Sequence, residues 1–393
     1  MKALLNSRTS VGALAVVAMA FGLAAGLAIA AQKAKLPKPR VLEHEVELSR
    51  DSATGDLRAN PSRGPESPPA ESAPVIRSRV ALVEVQCTVT APDGVQVRGL
   101  TQDDFRVLED GVEQKVASFD AAATPASIAL VIDASPSIYR ELGEMRSAAQ
   151  SLAKSLRPED EVAVVAFAGE THLLLPFSQD RNLLDAALTS PDLAQVANSS
   201  QSFIYEATYL SAVQLFSGRA GRKAIVLVTD GQDSGLGLTW NPASMLPAGP
   251  NSPLAFEDVA RGIAARGIEL YIISTEPRPR AMTNEWLSAH RTQPLATSAA
   301  RTSGIPEYTL YLAEMIRQVG GELYFLREVG SLAQIYHSIV LKLEAEYTLG
   351  YYPAAGIAKP GWRRLKVELR SQAAPVDSRI AHRTAYYVPA SSP

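Results

Sequence analysis

Apolar residues recur at different spacings along the chain, and each spacing predicts a different kind of structure. From Val83 to Val89 they alternate with polar residues, which is typical of a half-buried β-strand. Similar alternation within residues 105–119 and 346–388 predicts two groups of antiparallel strands. We therefore expect β-rich flanks over residues 77–120 and 346–389, and pairing of the two flanks into one small antiparallel domain would cover the apolar face of both.

The middle of the chain has a different pattern. Residues 128–132 and 224–228 are uninterrupted apolar runs, as in strands that are buried on both faces of a parallel sheet. Between such runs, apolar residues recur every three or four positions, for example over residues 142–156, which predicts helices. Alternating strands and helices predict an α/β domain over residues 125–345, with a doubly wound, mostly parallel sheet and helices on both faces.

The first 31 residues have the features of a targeting segment. Lys2 and Arg8 precede an uncharged run over residues 11–31, and residues 28–30 have the small-x-small pattern that signal peptidases cleave. The run is also long enough to span a bilayer if it is not cleaved. We expect an exported protein that is periplasmic, secreted or anchored in the membrane and facing outward.

Residues 32–76 contain seven prolines and few large apolar side chains. Such a composition buries too little surface to offset the entropy of ordering the chain. The sequence therefore predicts a disordered, Pro-rich linker between the targeting segment and the first β-rich flank.

Charge and cysteine content exclude several classes of function. The 38 basic and 41 acidic residues give a net charge of -3, which does not suit a protein that wraps nucleic acid. A single cysteine, Cys87, excludes an intramolecular disulfide and a cysteine-based zinc site. Five histidines occur without metal-ligand spacing. Any metal site here must therefore use oxygen ligands.

Carboxylates and hydroxyls follow two of the buried strands at the point where each strand ends. Asp133, Ser135 and Ser137 come after the first strand, and Asp230 follows residues 224–228 closely. Ligands of doubly wound folds bind at the carboxyl ends of the strands. Oxygen ligands favour Mg²⁺, Mn²⁺ or Ca²⁺ over zinc or copper. We expect Asp233, farther along the second loop, to be a solvated turn residue.

A purely structural interpretation of these residues stays open. Ser135 and Ser137 are suited to cap a following helix, and Asp230 with Gly231 is suited to form a turn. Two long polar insertions, residues 234–255 and 276–306, also follow strands of this sheet and are expected to surround the same edge. Their tryptophans, Trp240 and Trp286, are either interface residues or residues that pack the insertions down.

The run Asp133-x-Ser135-x-Ser137 after a buried strand resembles the metal-ion-dependent adhesion site of the von Willebrand factor type A (VWA) domain. The resemblance implies that Ser202 is the ligand of a second loop and Asp230 that of a third. The family usually has Thr at the position of Ser202. The alternatives for this second-loop ligand are Ser199, Ser200 and Thr208.

The resemblance also implies a function. In the family, hydroxyls and water hold the cation, and one coordination position stays open for an Asp or Glu carboxylate of a partner. We therefore expect a divalent-cation-dependent, adhesion-type module, similar to exported bacterial VWA-containing proteins, which binds an extracytoplasmic protein. The alternative is a structural or assembly module of the cell envelope with a degenerate metal site. Neither a G-x-S-x-G motif nor a Gly-rich phosphate loop occurs, so we expect no enzymatic activity.

Overall fold

In the computed structural model, Pro37–Pro393 form one compact unit. The predicted targeting segment lies outside the described residues. The described residues are 36–44, 47–50, 57–60, 82–121, 125–136, 143, 152, 154–196, 199, 201–219, 221–235, 254–289, 304–329, 331–344, 346–354, 361–370 and 374–388.

Strands are numbered along the chain, and helices are numbered over the described residues. The strands are β1 Arg40–Leu42, β2 Glu47–Arg50, β3 Leu57–Asn60, β4 Val83–Thr90, β5 Phe105–Glu109, β6 Val112–Gln114, β7 Val116–Ala121, β8 Ala126–Asp133, β9 Glu161–Phe167, β10 Thr171–Ser178, β11 Arg222–Thr229, β12 Glu269–Ser274, β13 Gly321–Phe325, β14 Glu346–Tyr351, β15 Gly361–Leu369, β16 Arg379–His382 and β17 Ala385–Val388. The helices are α1 Arg181–Leu188, α2 Pro191–Val196, α3 Ile204–Leu210, α4 Phe256–Ala264, α5 Asn284–Ala289, α6 Glu307–Val319, α7 Leu326–Val329 and α8 Leu332–Glu344, with a π-helical turn at Ser211–Leu215. Within the described part of the chain, no helix combines the length and the apolar character needed to cross a membrane.

A seven-stranded sheet forms the centre of the α/β domain. Its strand order is β1-β10-β9-β8-β11-β12-β13, and the five strands from β9 to β13 in this order run parallel. Every residue of β8 and β11 is buried, which explains why both read as continuous apolar runs in the sequence. The mostly parallel sheet predicted from the sequence is thus confirmed.

Helices cover both faces of this sheet. On one face Val131 and Leu227 belong to a core cluster with residues of α3, α4 and α6. The alternate positions of the same sheet, such as Leu130 and Val164, are equally buried. Because successive residues of a strand point to opposite faces, burial at both parities requires cover on both sides.

The outer strand β1 corrects one sequence prediction. Residues 32–76 were predicted to be a disordered linker, yet Arg40–Leu42 pair antiparallel with β10, and β2 pairs with β3 as a hairpin. Leu42 is 2% exposed and packs into the core of the α/β domain. Three residues are too few to show a period of two, and the hydrogen bonds that order β1 come from a strand about 130 positions later in the chain.

The two β-rich flanks form one sandwich of two antiparallel sheets. One sheet has the order β16-β4-β14-β7 and the other β17-β15-β5-β6. Each sheet combines strands from before and after the α/β domain, and both share one core that includes Val85, Phe105 and Leu349. The antiparallel β domain built from N- and C-terminal strands is therefore confirmed. The exact residue limits of the domains stay predictions.

Arg383 joins the sandwich to the α/β domain. Its guanidinium donates a 3.0 Å hydrogen bond to the carbonyl of Ala264 at the end of α4, and a second to the carbonyl of Glu84 in β4. Burial lowers the pKa of Arg383 to about 10, although nearby tyrosines and Glu84 act in the opposite direction. A buried arginine in this position ties a helix end of one domain to a strand of the other.

Candidate metal centre

The candidate site lies at the carboxyl edge of the central sheet. Asp133 is the last residue of β8, and Asp230 directly follows β11, its parallel neighbour in the sheet. Ser202 reaches the same edge from the loop before α3, which is held by a 3.1 Å hydrogen bond from the Phe203 amide to the carbonyl of Ala168. The topology of the sheet thus brings three separate loops together.

Both carboxylate oxygens of Asp133 accept hydrogen bonds. The backbone amide of Ser135 donates to Oδ1 at 3.0 Å. The hydroxyls of Ser202 and Thr229 donate to Oδ2 at 3.1 Å and 2.8 Å. A side-chain hydrogen bond from Ser135 adds to these. The carboxylate therefore orients a ring of hydroxyl groups.

The electrostatic setting of Asp133 is unfavourable in the absence of a cation. Burial, followed by the negative charge of Asp230, raises the pKa of Asp133 to about 6, although the hydrogen bonds from Ser135 and Thr229 oppose the shift. The charged residue that acts on Asp133 is Asp230, which is also negative. A divalent cation would reverse this, because it favours the ionised form of both carboxylates.

Gly231 allows the Asp230 loop to turn beneath helix α6. Its φ of +91° lies in the left-handed region that side chains disfavour. A Cβ at this position would lie 3.0 Å from Leu312 and 3.1 Å from Tyr308. Asp230 itself accepts a 2.9 Å hydrogen bond from the amide of Gln232 through Oδ1. Close packing against α6 thus fixes the backbone next to the carboxylate.

Two contacts join the Asp230 loop to the Ser202 loop. The amide of Ser234 donates to the Ser202 carbonyl at 2.7 Å, and the Ser202 amide donates to the Ser234 hydroxyl at 3.1 Å.

Asp233 accepts from the Tyr205 amide at 3.3 Å and from the Gly235 amide at 2.8 Å. The expectation of a solvated Asp233 is therefore wrong: the side chain is fully buried and caps the N-terminus of α3 from another loop.

The structure brings four of the five predicted ligands to one place. Asp133, Ser135, Ser202 and Asp230 are each at most 5% exposed. Ser137, the fifth, lies outside the described residues, as does Ser200. Among the alternatives to Ser202, the Thr208 hydroxyl donates to the Ile204 carbonyl within α3, and the Ser199 hydroxyl accepts from the Gln201 amide. The direct contact with Asp133 favours Ser202 as the second-loop residue.

Thr229 belongs to the hydrogen-bond network of the candidate site, and the sequence did not identify it. Its hydroxyl donates to Asp133 and accepts a 3.0 Å hydrogen bond from the Gly231 amide. A polar residue that ends an otherwise apolar run, directly before an Asp-Gly pair, is the available sequence signal. Thr229 thereby connects β11, the Asp230 loop and the carboxylate of β8.

The donor set fits a hard divalent cation. It offers carboxylate and hydroxyl oxygens, which are the ligands that Mg²⁺, Mn²⁺ and Ca²⁺ prefer. The described residues contain no group of three or more His, Cys, Asp or Glu side chains placed to hold a metal. The hydroxyls of Ser202 and Thr229 lie beside the carboxylate of Asp133 in this donor set.

Tyr308 borders the site, and Trp286 lies in the insertion that follows β12. Tyr308 packs beside Gly231, and burial with the charges of Glu276 and Asp230 raises its pKa. Trp286 is half-buried in α5 and packs against a small apolar cluster with Met282 and Phe325. For Trp286 the packing interpretation therefore holds, whereas Trp240 lies outside the described residues.

The chain is similar to one protein family and to several solved structures. The family model of the von Willebrand factor type A domain matches residues 127–303. An aerotolerance-related membrane protein from Bacteroides fragilis is 16% identical, with 56% of this chain and 98% of that chain covered and a TM-score of 0.37. BatB from Bacteroides thetaiotaomicron is 18% identical, with 56% of this chain and 97% of that chain covered and a TM-score of 0.37. Proximal thread matrix protein 1 from the mussel byssus, with zinc in its metal-ion-dependent adhesion site, is 17% identical. The match covers 59% of this chain and 48% of that chain, with a TM-score of 0.37.

Curated protein sequences give no significant match to the chain. The family match covers the strands and loops that supply Asp133, Ser135, Ser202 and Asp230. The family model of the von Willebrand factor type A domain thus matches residues 127–303, the part of the chain that carries the candidate site.

Proposed function

We propose that the VWA domain of this chain binds a partner protein through a divalent cation. The residues that would hold the cation, Mg²⁺ or alternatively Mn²⁺ or Ca²⁺, are Asp133, Ser135, Ser137, Ser202 and Asp230. The observation that carries the proposal is the state of Asp133, which is fully buried, surrounded by hydroxyl groups and placed beside the like charge of Asp230.

The hydrogen bonds around Asp133 leave ligand oxygens available. The Ser202 hydroxyl uses its single proton in the bond to Asp133, so the lone pairs of its oxygen remain free of that bond. Ser135 also makes a side-chain hydrogen bond to Asp133. Asp133 thus acts as the group that orients neutral ligands.

A bound divalent cation supplies a positive charge to which an external carboxylate can add. Neutral hydroxyl ligands leave part of that charge uncompensated, and this favours a partner that presents Asp or Glu. The proposal includes an exported location for the protein and a binding role in place of catalysis.

The proposal is tested by cation-dependent thermal stability. The wild-type chain should melt at a higher temperature in Mg²⁺ or Mn²⁺ than in chelator, with a gain of about 2.7 kcal/mol at a hundredfold excess over Kd. Asp133→Asn keeps the shape of the side chain but removes its charge, and it should lose this gain. Asp103→Asn, at an exposed position in the β sandwich, is the matched control and should respond like the wild type.

Equal cation responses in the wild type and Asp133→Asn would remove Asp133 from the site. No gain in the wild type would instead favour the alternative of an assembly module with a degenerate metal site. Export is tested separately, with a reporter that is active only in the periplasm and is fused after Pro393. Activity of only a cytoplasmic reporter at this position would contradict the exported location and the extracytoplasmic partner.

A further inference from the structure

We infer that residues 40–44, the N-terminal strap, position the helix that follows Ser202 and thereby set the cation affinity of the candidate metal centre. The strap consists of strand β1, Glu43 and His44. The inference rests on the proposed function, because it concerns the affinity of the same site.

The strap ends at the level of the metal centre. In the central sheet, Leu42 pairs with Thr171, Thr171 pairs with Phe167, and Phe167 pairs with Asp133. These residues form one row across four strands. The chain that leaves Leu42 is therefore already at the edge of the sheet where the candidate ligands lie.

Leu42 fastens the strap to the interior of the domain. It is 2% exposed and belongs to the same core cluster as Ile204, Tyr205 and Ala207 of helix α3. These residues lie in the first turn of α3, directly after Ser202 and Phe203. The strap and the start of the helix that the Ser202 loop leads into therefore belong to one apolar core.

Further contacts of the strap reach α3 and the π-helical turn that follows it. Nε2 of His44 lies 3.1 Å from Oε1 of Glu206, and both side chains are mostly buried. The His44 ring lies 6.0 Å from the ring of Tyr209. Farther along, the Gln214 side chain donates to the carbonyl of Glu43. The strap therefore runs along α3 and the π-helical turn that follows it.

A shift of α3 would act on the candidate site through Ser202. Ser202 lies two residues before the helix, and its hydroxyl makes a 3.1 Å hydrogen bond to Asp133. Release of the strap removes the contact of His44 with Glu206 of α3 and the contact of Glu43 with Gln214, and it takes Leu42 out of the shared core. Couplings of this kind change affinity by about 5- to 150-fold, and the Ser234 and Asp233 contacts that remain place the expected effect near the lower end.

The test measures the dissociation constant for Mn²⁺ by calorimetry on the full chain. Leu42→Asp places a charge in the core and should release the strap, and Kd should rise by about tenfold. Val41→Asp is the matched control, because Val41 lies on the same strand and is 37% exposed. Its Kd should stay within about twofold of the wild-type value. Hydrogen exchange at the β10 amides that pair with β1 reports whether the strap is released.

A second variant covers the case in which Leu42→Asp does not fold. His44→Ala combined with Gln214→Ala removes the polar contacts and leaves Leu42 in place, and its Kd should also rise, by about fivefold. An unchanged Kd in a variant whose β10 amides have begun to exchange overturns the inference and leaves the proposed function intact. Failure of the wild type to bind Mn²⁺ overturns the proposed function and the inference with it.

Discussion

The hydroxyl of Thr229 donates a 2.8 Å hydrogen bond to Oδ2 of Asp133, although the two residues lie 96 positions apart in the chain. The same hydroxyl oxygen accepts from the amide of Gly231 at 3.0 Å. One side chain at the end of β11 thus satisfies a buried carboxylate of β8 and a buried amide of the Asp230 loop. Such a bridging hydroxyl contributes both to stability and to the orientation of the site.

Thr229→Val is expected to destabilise the protein by about 1–3 kcal/mol, because it leaves the Gly231 amide and one position on Asp133 without a partner. Thr229→Ser keeps the hydroxyl and should cost less than about 1 kcal/mol. Urea denaturation in chelator measures both values. Equal unfolding free energies for the Val and Ser variants would show that the hydroxyl bridge contributes nothing.

Asp233→Ala is expected to cost about 1–3 kcal/mol, since the amides of Tyr205 and Gly235 lose their acceptor in a buried setting. The matched control is Asp93→Ala, which removes an exposed side chain that accepts from the Val95 amide at 3.0 Å. The control should stay within about 0.5 kcal/mol of the wild type. Loss of the cation response without loss of unfolding free energy would instead identify Asp233 as a ligand.

A chain that ends at Glu344 is expected to lose the β sandwich. The truncation removes β14 and β16, both neighbours of β4, and also β15, which pairs with β5. Val85 and Phe105, now buried in the shared core, would become exposed. Limited proteolysis should then cut within residues 83–119, whereas a chain that ends at Val388 should stay protected there. A monomeric, protected fragment ending at Glu344 would argue against the shared core.

Stability is expected to fall as pH rises above about 10, the ordinary pKa of tyrosine. Tyr351 and Tyr386 donate to the buried carboxyl of Glu109 at 2.6 Å and 2.8 Å. Burial, followed by these hydrogen bonds, raises the pKa of both tyrosines. The folded protein therefore keeps protons that the unfolded chain loses, so the free energy of unfolding decreases with pH in this range.

Tyr386→Phe removes one of these groups. Its free energy of unfolding should fall less steeply above pH 10, by up to about 1.4 kcal/mol per pH unit. Denaturation curves between pH 9 and pH 11 measure the slope for the variant and the wild type. Identical slopes would mean that the Tyr386 hydroxyl titrates normally in the folded protein.

Sequence patterns alone were sufficient for the parts of the fold that depend on local spacing. The apolar runs of β8 and β11 predict buried parallel strands. The period of two in β4 predicts its half-buried face. These signals are readable because the burial of each element repeats with the period of its own backbone.

The sequence by itself also placed Asp133, Ser135 and Asp230 at strand ends, because a parallel sheet brings the carboxyl ends of its strands to one edge. Tertiary structure alone decided which neighbours these side chains have. Asp233 faces the start of α3, Thr229 bridges to Asp133, and β1 pairs with β10. Each of these relationships joins residues that are distant in the chain, and a hydrogen-bond partner supplied from elsewhere in the fold leaves no periodic pattern at either position.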